Sequence, residues 1–454
     1  MSTTTTTRTQ SLISRLYDDK GNFMPAVLAE LLAESTPIVS DWKSMVSYIY
    51  RDGMYHDDAL QFCSNAAKSI LKDKYRDYNG KDVLGCLFPV THVKEIKEAT
   101  PNFIHVKNGT YDINTDTLLE HSPERFFFNM LDVKYDPEAE CPKIDKFMSE
   151  IVTPEEVQLV YEVIGYCMYR DYKFAKSVML LGDGANGKST LLFLIKAFLG
   201  EHNVVGKSLI QLEEDRFAAS DLFHKLANIH ADIPNRSLTT TGRFKMLTGK
   251  DVMDVERKFG QPFRFVNYAK FLFSANEMPS TNDKTNAFFR RWIIVRFSHV
   301  FEGASADVNL LDKLTTEEEL SGLLNRAIAG LKRLLENGWS IDSSTDDIRR
   351  DYTLLSSTVA AFAQECLVAE PTSHILKSEA YEVYVKYCTG NIRQPVTSIA
   401  FFRALPRNAT VQNYRPTVNG TQVHAYKGVK YNAFGEFLLR QSNVSPEAES
   451  EDSV

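Results

Sequence analysis

One nine-residue stretch constrains this chain more than any other: Gly182-Asp183-Gly184-Ala185-Asn186-Gly187-Lys188-Ser189-Thr190. It follows an apolar run, Ser177-Val178-Met179-Leu180-Leu181, which reads as a buried strand. It precedes a second, Leu191 to Phe198, which reads as a helix. A strand, a turn of the form G-x-x-x-x-G-K-[ST] and a helix together make a phosphate loop. Its glycines let backbone N–H groups close around phosphate oxygens at a helix N-terminus, where the helix dipole favours negative charge. Lys188 then reaches the β- and γ-phosphates of ATP, and the Ser189 hydroxyl ligates Mg²⁺. The expected fold class is α/β.

Such a loop needs an acidic partner at the end of a neighbouring strand. The candidate is Leu226-Ala227-Asn228-Ile229-His230-Ala231-Asp232-Ile233-Pro234, with Asp232 as the carboxylate on the Mg²⁺ side. Pattern alone also fits a strand-capping Asp, because Asn228 and His230 interrupt the apolar run. His230 itself reads as a strand residue facing a helix rather than a catalytic base. A third segment, Tyr268 to Ala275, is a buried strand ending in Asn276. An amide there can hold the attacking water or sense the γ-phosphate, although a turn-forming Asn before Glu277-Met278-Pro279 fits the spacing equally well. The fourth is Phe288-Phe289-Arg290-Arg291-Trp292-Ile293-Ile294-Val295-Arg296-Phe297. Arg290 or Arg291 is a candidate arginine finger reaching a neighbouring subunit's nucleotide; surface ion pairs are the plainer alternative.

A length of 454 residues suggests about three domains. Hydrophobic residues at 43% and charged residues at 24% are ordinary for a chain with a buried core. The net charge of −7 excludes an overall polybasic coat but not a local basic face. Six cysteines without a C-x-x-C pair argue against a zinc ribbon or redox dithiol, and read as buried thiols of a cytoplasmic protein. No apolar stretch reaches the ~18 residues of a membrane span, so no membrane partner is expected.

Residues 1–10 read as a polar disordered arm. Residues 11–150 form a mainly helical and mixed region, a candidate oligomerisation collar, with helical periodicity running through Trp42, Met45, Val46 and Ile49; a helical stretch from Pro142 to Tyr169 follows. The ATPase core spans 151–340, ending in a helix that is capped at Thr316 and stopped by Gly338. Within it, Val252 to Glu256 and Pro262 to Val266 read as two strands joined by a basic and aromatic tip. Lys250, Arg257 and Lys258 are the expected contacts to a DNA phosphate backbone there.

Residues 341–440 form a small mixed domain, and 441–454 an acidic disordered tail. From Val383 through Gly435 there is no Asp or Glu, yet seven Lys and Arg residues fall there, Arg403, Arg407 and Arg415 among them. Such segregation in an acidic chain is a footprint for nucleic acid, or else a basic subunit interface. Helices at Ser378 to Cys388 and Ser398 to Leu405, followed by a hairpin from Val411 to Tyr431 turning at Asn419-Gly420, look winged-helix-like.

Taken in order, these segments resemble the superfamily 3 helicases, specifically the phage, plasmid and poxvirus-type primase-helicases, from about Phe103 to Tyr431. The resemblance rests on G-x-G-x-N-G-K-S-T at Gly182 to Thr190 and on Phe244-Lys245-Met246-Leu247-Thr248-Gly249-Lys250-Asp251. It continues through Glu256-Arg257-Lys258-Phe259, F-S-A-N ending at Asn276, and F-R-R-W beginning at Phe289. It implies an AAA+-like P-loop core, a homo-hexameric ring, and ATP-driven 3′-to-5′ translocation on DNA, with a single strand in the pore and a duplex at the fork. It raises Asp232 to a Walker B role, Asn276 to a sensor and Arg290/Arg291 to a finger.

This chain departs from the family at Lys250, where a second glycine is usual, at His230 in the Walker B strand, and in having no second acid beside Asp232. No primase motif is apparent in the roughly 100 residues that precede the similar region. The expectation is therefore a helicase without primase, served by a separate primase or polymerase, in a virus, plasmid or integrated element. The alternative is an oligomeric P-loop ATPase that remodels or packages DNA without separating strands.

Overall fold

The computed structural model describes residues 15–441, apart from 43, 183, 234–236, 259, 302–306, 308, 392 and 419. The polar arm, the tail from 442, Asp183, Phe259 and Asn419 lie outside the described residues. The chain divides into two compact units. One takes residues 1–233, 240–276 and 291–342; the other takes 234–239, 277–290 and 343–454.

The first unit is built on a five-stranded parallel sheet. Its order is Trp292–Arg296, Ser177–Leu181, Lys270–Ala275, Ala227–His230, Val204–Val205, or 5-1-4-3-2 along the chain. Ser177–Leu181 and Lys270–Ala275 are buried at every position, as strands covered on both faces must be. One hydrophobic cluster runs from Ile104 to Leu331, so residues on both sides of position 150 share a single core. It includes the helices Pro142–Ile151, Pro154–Met168, Lys188–Leu199 and Glu317–Asn337. The last begins where expected: the Thr316 side chain accepts from the Glu319 N–H, and Gly338 ends the helix at φ +80°.

The helical stretch from Pro142 to Tyr169 consists of two helices, broken at Val152-Thr153. Glu156 accepts from the Thr153 N–H at 3.1 Å and Pro154 occupies the first turn, so a new helix starts there. The helical reading of Trp42 to Ile49 is wrong. Val46–Arg51 is a strand, paired with Ile38–Asp41 and Met54–His56 in a four-stranded sheet that His92–Val93 completes. Asp52-Gly53, at φ +50° and +86°, closes the hairpin as an Asp-Gly pair does best. Trp42 and Met45 are exposed (61% and 59%), so their helical spacing reflected no buried face.

The second unit has its own core of Phe362, Tyr384, Tyr387, Phe401 and Tyr426. Helix Thr358–Cys366 leads into strand Leu367–Leu376, then come helices Lys377–Gly390 and Ser398–Asn408 and strands Gln412–Tyr414 and Ala425–Tyr431. The sheet order is Leu367–Leu376, Ala425–Tyr431, Gln412–Tyr414, and a small hairpin pairing Val418 with Thr421 projects between the last two strands. Among the described residues no helix is long and apolar enough to cross a membrane.

Candidate active site

Parallel register sets the geometry of the sheet's carboxyl edge. Ala275 pairs with Leu181, and His230 pairs with Phe273, two residues earlier along the same strand. Gly182, Asn276 and Asp232 therefore all emerge at one edge, from three adjacent strands. In open α/β sheets that edge is where ligands bind.

Gly184, Ala185 and Gly187 stand at φ +106°, +46° and +85°, the region of positive φ that favours glycine. A Cβ on Gly182 would fall 2.0 Å from Asn186 Nδ2 and 2.6 Å from the Phe297 carbonyl, so only glycine fits. One on Gly184 would meet nothing within 4 Å, which leaves that side of the loop open. Lys188 is 4% exposed and folds back along the loop, donating to the Gly182 carbonyl (2.6 Å) and Asn186 Oδ1 (3.0 Å). Ser189 and Thr190 open the helix at its dipole-positive end.

Asp232 is exposed and sits at φ +53°, held by its neighbours rather than by its own side chain. Its N–H donates to Ser274 Oγ (3.3 Å), and the Ile233 N–H donates to the Ser274 carbonyl (2.9 Å). Ser274 thus pins the Asp232 strand end to the strand that carries Asn276. That residue escaped the sequence reading, although a hydroxyl following the apolar run Phe271-Leu272-Phe273 in a buried strand was the signal. Asn276 is exposed. His230 is half-buried, with Nδ1 3.2 Å from the Gly206 carbonyl, an edge-strand contact.

The chemistry of the edge fits Mg²⁺. Among the described residues no group of three or more His, Cys, Asp and Glu could hold a metal. Mg²⁺ instead takes one or two protein oxygens and completes its shell with phosphate and water, which a Ser189 hydroxyl and an Asp232 carboxylate can satisfy.

The arginine pair separates into two different residues. Arg291 is 6% exposed, with Nε donating to Thr248 Oγ1 (2.7 Å) and Nη2 to the Lys245 carbonyl (3.1 Å). It ties the end of helix Gly242–Leu247 to strand Trp292–Arg296. Arg290 is exposed. Trp292 pairs with Ser177, so Arg291 precedes its strand at the amino end, while the glycine-rich loop leaves the neighbouring strand at the carboxyl end. A five-residue strand separates these ends by about 17 Å.

The basic residues also differ in what holds them. Lys250 adopts φ +62°, a backbone conformation that favours glycine, and its ammonium is bound to Asp171 at 2.7 Å. The hairpin pairs Val252–Val255 with Phe263–Val266. Arg257 lies over the rings of Phe223 and Phe263 (5.7 and 5.1 Å to the centroids), while Lys258 is exposed at the turn. In the second unit Arg403 and Arg407 are exposed one turn apart on helix Ser398–Asn408, in line with exposed Ile399, and Arg415 is exposed beside the small hairpin.

Comparison with known proteins gives partial matches. Residues 42–153 match the family described as D5 N terminal like, and residues 180–291 match a family of unknown function, DUF5906. The "Putative helicase L207/L206" of Acanthamoeba polyphaga mimivirus is 26% identical over 210 residues, 44% of this chain and 22% of that protein. The "Putative helicase 121R" of Invertebrate iridescent virus 3 is 24% identical over 266 residues, 52% of this chain and 28% of that protein. This chain therefore spans about a quarter of the length of each curated relative. Among solved structures, the apo NrS-1 C terminal region aligns over 90% of this chain at 14% identity, with a TM-score of 0.46. The chain is thus similar, at low identity, to viral proteins named as helicases, and carries a D5 N terminal like segment.

Proposed function

We propose that this protein is an ATP-dependent DNA helicase of the superfamily 3 type, working as a homo-oligomeric ring, a hexamer by resemblance, in the replication of a virus, plasmid or integrated element. The observation that carries the reading is the carboxyl edge of the sheet. A glycine-rich turn, a carboxylate and an amide leave three adjacent parallel strands there, while Arg291 precedes its strand at the opposite end. The similarity to viral proteins named as helicases supports it.

Hydrolysis follows from the parts. The loop's N–H groups and Lys188 bind the β- and γ-phosphates, which requires Lys188 to exchange the Gly182 carbonyl and Asn186 for phosphate oxygens. Mg²⁺ held by Ser189 and Asp232 would neutralise charge between the two phosphates. Asn276 orients the attacking water, and Arg290, which is exposed, stabilises the γ-phosphate of a neighbouring subunit. The hairpin tip, with Lys258 foremost, grips the single strand. The second unit's helix–strand–helix–helix–strand–strand order supports a winged-helix reading, in which Arg403, Arg407 and Arg415 face duplex DNA.

Strand displacement on a forked duplex tests this. ATP-dependent release of the displaced strand by the wild type, lost in Lys188→Ala, is expected. DNA-stimulated hydrolysis with no strand release would favour remodelling or packaging instead, and hydrolysis indifferent to DNA would contradict both.

A further inference from the structure

The five-stranded sheet ends in the short strand Val204–Val205, three places from the strand that feeds the glycine-rich loop. At about 4.8 Å per strand that edge lies roughly 14 Å across the sheet from the loop's strand. Beside it is a cavity of about 810 Å³, bordered by Val205, Gly206 and Lys207. Its volume falls within the range of small-ligand sites, roughly 300–1,000 Å³, and none of the parts assigned to hydrolysis lines it.

Two stretches far apart in sequence build its aromatic wall. Strands Val46–Arg51 and Met54–His56 supply Tyr48 and Tyr55, and Phe128 comes from the same N-terminal region. The segment before strand Ala227–His230 supplies Phe223 and His224. Tyr48 packs 4.7 Å from Phe128, and the His224 ring touches both Phe128 and Phe223, at 3.9 and 3.7 Å between centroids. His224 takes φ +58°, and its Nδ1 stands 3.0 Å from Glu98 Oε1. A histidine kept in left-handed backbone and tied to a carboxylate fixes the rings that it touches, and such backbone clusters at ligand clamps. Tyr48 is buried, whereas Phe128 and Phe223 are half-buried and line the cavity, so part of each ring is open to it.

Cations border these rings. Arg257 lies over Phe223 at 5.7 Å, Lys225 donates to the His202 carbonyl at 2.5 Å, and Lys207 pairs with Asp221 at 2.6 Å. Asp57 is the other carboxylate of the lining, so three Lys and Arg side chains face two acids, in a chain whose net charge is −7. Rings flanked by cations suit a single strand, whose bases stack on π-faces while its phosphates follow the positive groups. A duplex keeps its bases paired inside the stack and offers no free face to such a wall. Arg257 also adjoins Lys258, so a strand held at the hairpin turn meets the cavity at the next residue.

We propose that this cavity takes an unpaired base of single-stranded DNA, stacked against Phe223 and Phe128, with the flanking phosphates on Arg257 and Lys225. The proposal rests on the reading of the protein as a helicase that holds a single strand. It carries the strand's contacts beyond the hairpin turn and into the N-terminal region, through Tyr48 and Phe128.

Equilibrium binding of the full chain to oligothymidylate, and separately to an abasic oligonucleotide of equal length, tests the assignment. Phe223→Ala should weaken oligothymidylate about tenfold, the usual loss of one aromatic–base stack, while leaving the abasic strand and the salt slope unchanged. Phe223→Trp should retain wild-type affinity. Unchanged oligothymidylate affinity in Phe223→Ala would overturn the proposal. Should that variant lose both strands equally, photo-crosslinking of the wild-type protein to an iodouracil-substituted strand decides. Adducts at Phe223, Phe128 or Tyr48 uphold the cavity as a base site, and adducts confined to other residues overturn it. Wild-type protein that binds no single strand at all is a distinct failure, that of the helicase reading, and overturns both.

Discussion

Arg290 and Arg291 are adjacent in sequence and identical in chemistry, yet the fold gives them separate tasks. Arg290 ends helix Asn286–Phe289 with helical backbone and the strand begins only at Trp292; between them Arg291 turns toward Thr248 and the Lys245 carbonyl. Arg291→Ala should therefore destabilise the protein by about 2–3 kcal/mol, the value of buried hydrogen bonds made by a charged group, seen as a lowered urea midpoint. Arg290→Ala should leave that midpoint unchanged. Equal midpoints for the two variants would contradict the division. Spacing could single out the pair but not divide it, because the division depends on where helix Asn286–Phe289 ends and the strand begins. The positive-φ turns at Gly184 and Gly187 were legible because glycine's backbone freedom is a local property. Ser274 was not, since its role is to reach across to the Asp232 strand end.

Among elements, the hairpins and helix breaks show which local signals tertiary structure respects. Asp52-Gly53 and Thr153-Pro154-x-Glu156 each encoded a turn or a cap that outweighed an apparent apolar period. The strands around the phosphate loop were readable because continuous burial leaves continuous apolar runs.

His105, on strand Phe103–Val106, offers a pH test of the adjoining three-stranded sheet. It is 3% exposed, its ring stacks on Phe127 at 4.2 Å, and it contacts Thr110 Oγ1 and the Gly53 carbonyl, each at 3.0 Å. Burial, and then the nearby His121, push its pKa down to about 3. The unfolded chain takes up that proton near pH 6.5 and the native one does not, so stability falls as pH drops from about 6.5 toward 3. Carboxylates add their own losses only below about pH 5. Between pH 6.5 and 5, His105→Gln should flatten the decline of the urea midpoint, and an undiminished slope would show that His105 accepts the proton in the native state.

For the hairpin, Lys258→Ala should preserve ATP hydrolysis without DNA while reducing unwinding and stimulation by single strands. Its salt dependence of single-strand binding should fall by about one unit of slope. Wild-type unwinding by this variant would make the tip a solvated turn.

At the scale of the whole molecule, an acidic chain gathers its acid-free segment into the second unit, where Arg403, Arg407 and Arg415 are exposed. Replacing Arg403 and Arg407 together by Ala should lower the salt slope of duplex binding by about two while sparing hydrolysis stimulated by single strands. Equal loss of both activities would instead mark that face as a subunit contact. Sequence could reveal this charge segregation because it is compositional. The two-unit division was less legible, since residues 234–239 and 277–290 join a unit otherwise drawn from 343 onward.

In the proposed ring one subunit's arginine completes another's nucleotide site, and mixing two inactive variants tests this most directly. Lys188→Ala lacks the phosphate-binding lysine but keeps Arg290; Arg290→Ala lacks the finger but keeps the loop. Each alone should show no DNA-stimulated ATP hydrolysis. Mixed and allowed to co-assemble, they should recover part of the wild-type rate, because some interfaces then pair an intact loop with an intact Arg290. Rings shown by mass to contain both variants, yet with no recovered hydrolysis, would contradict an arginine acting across subunits.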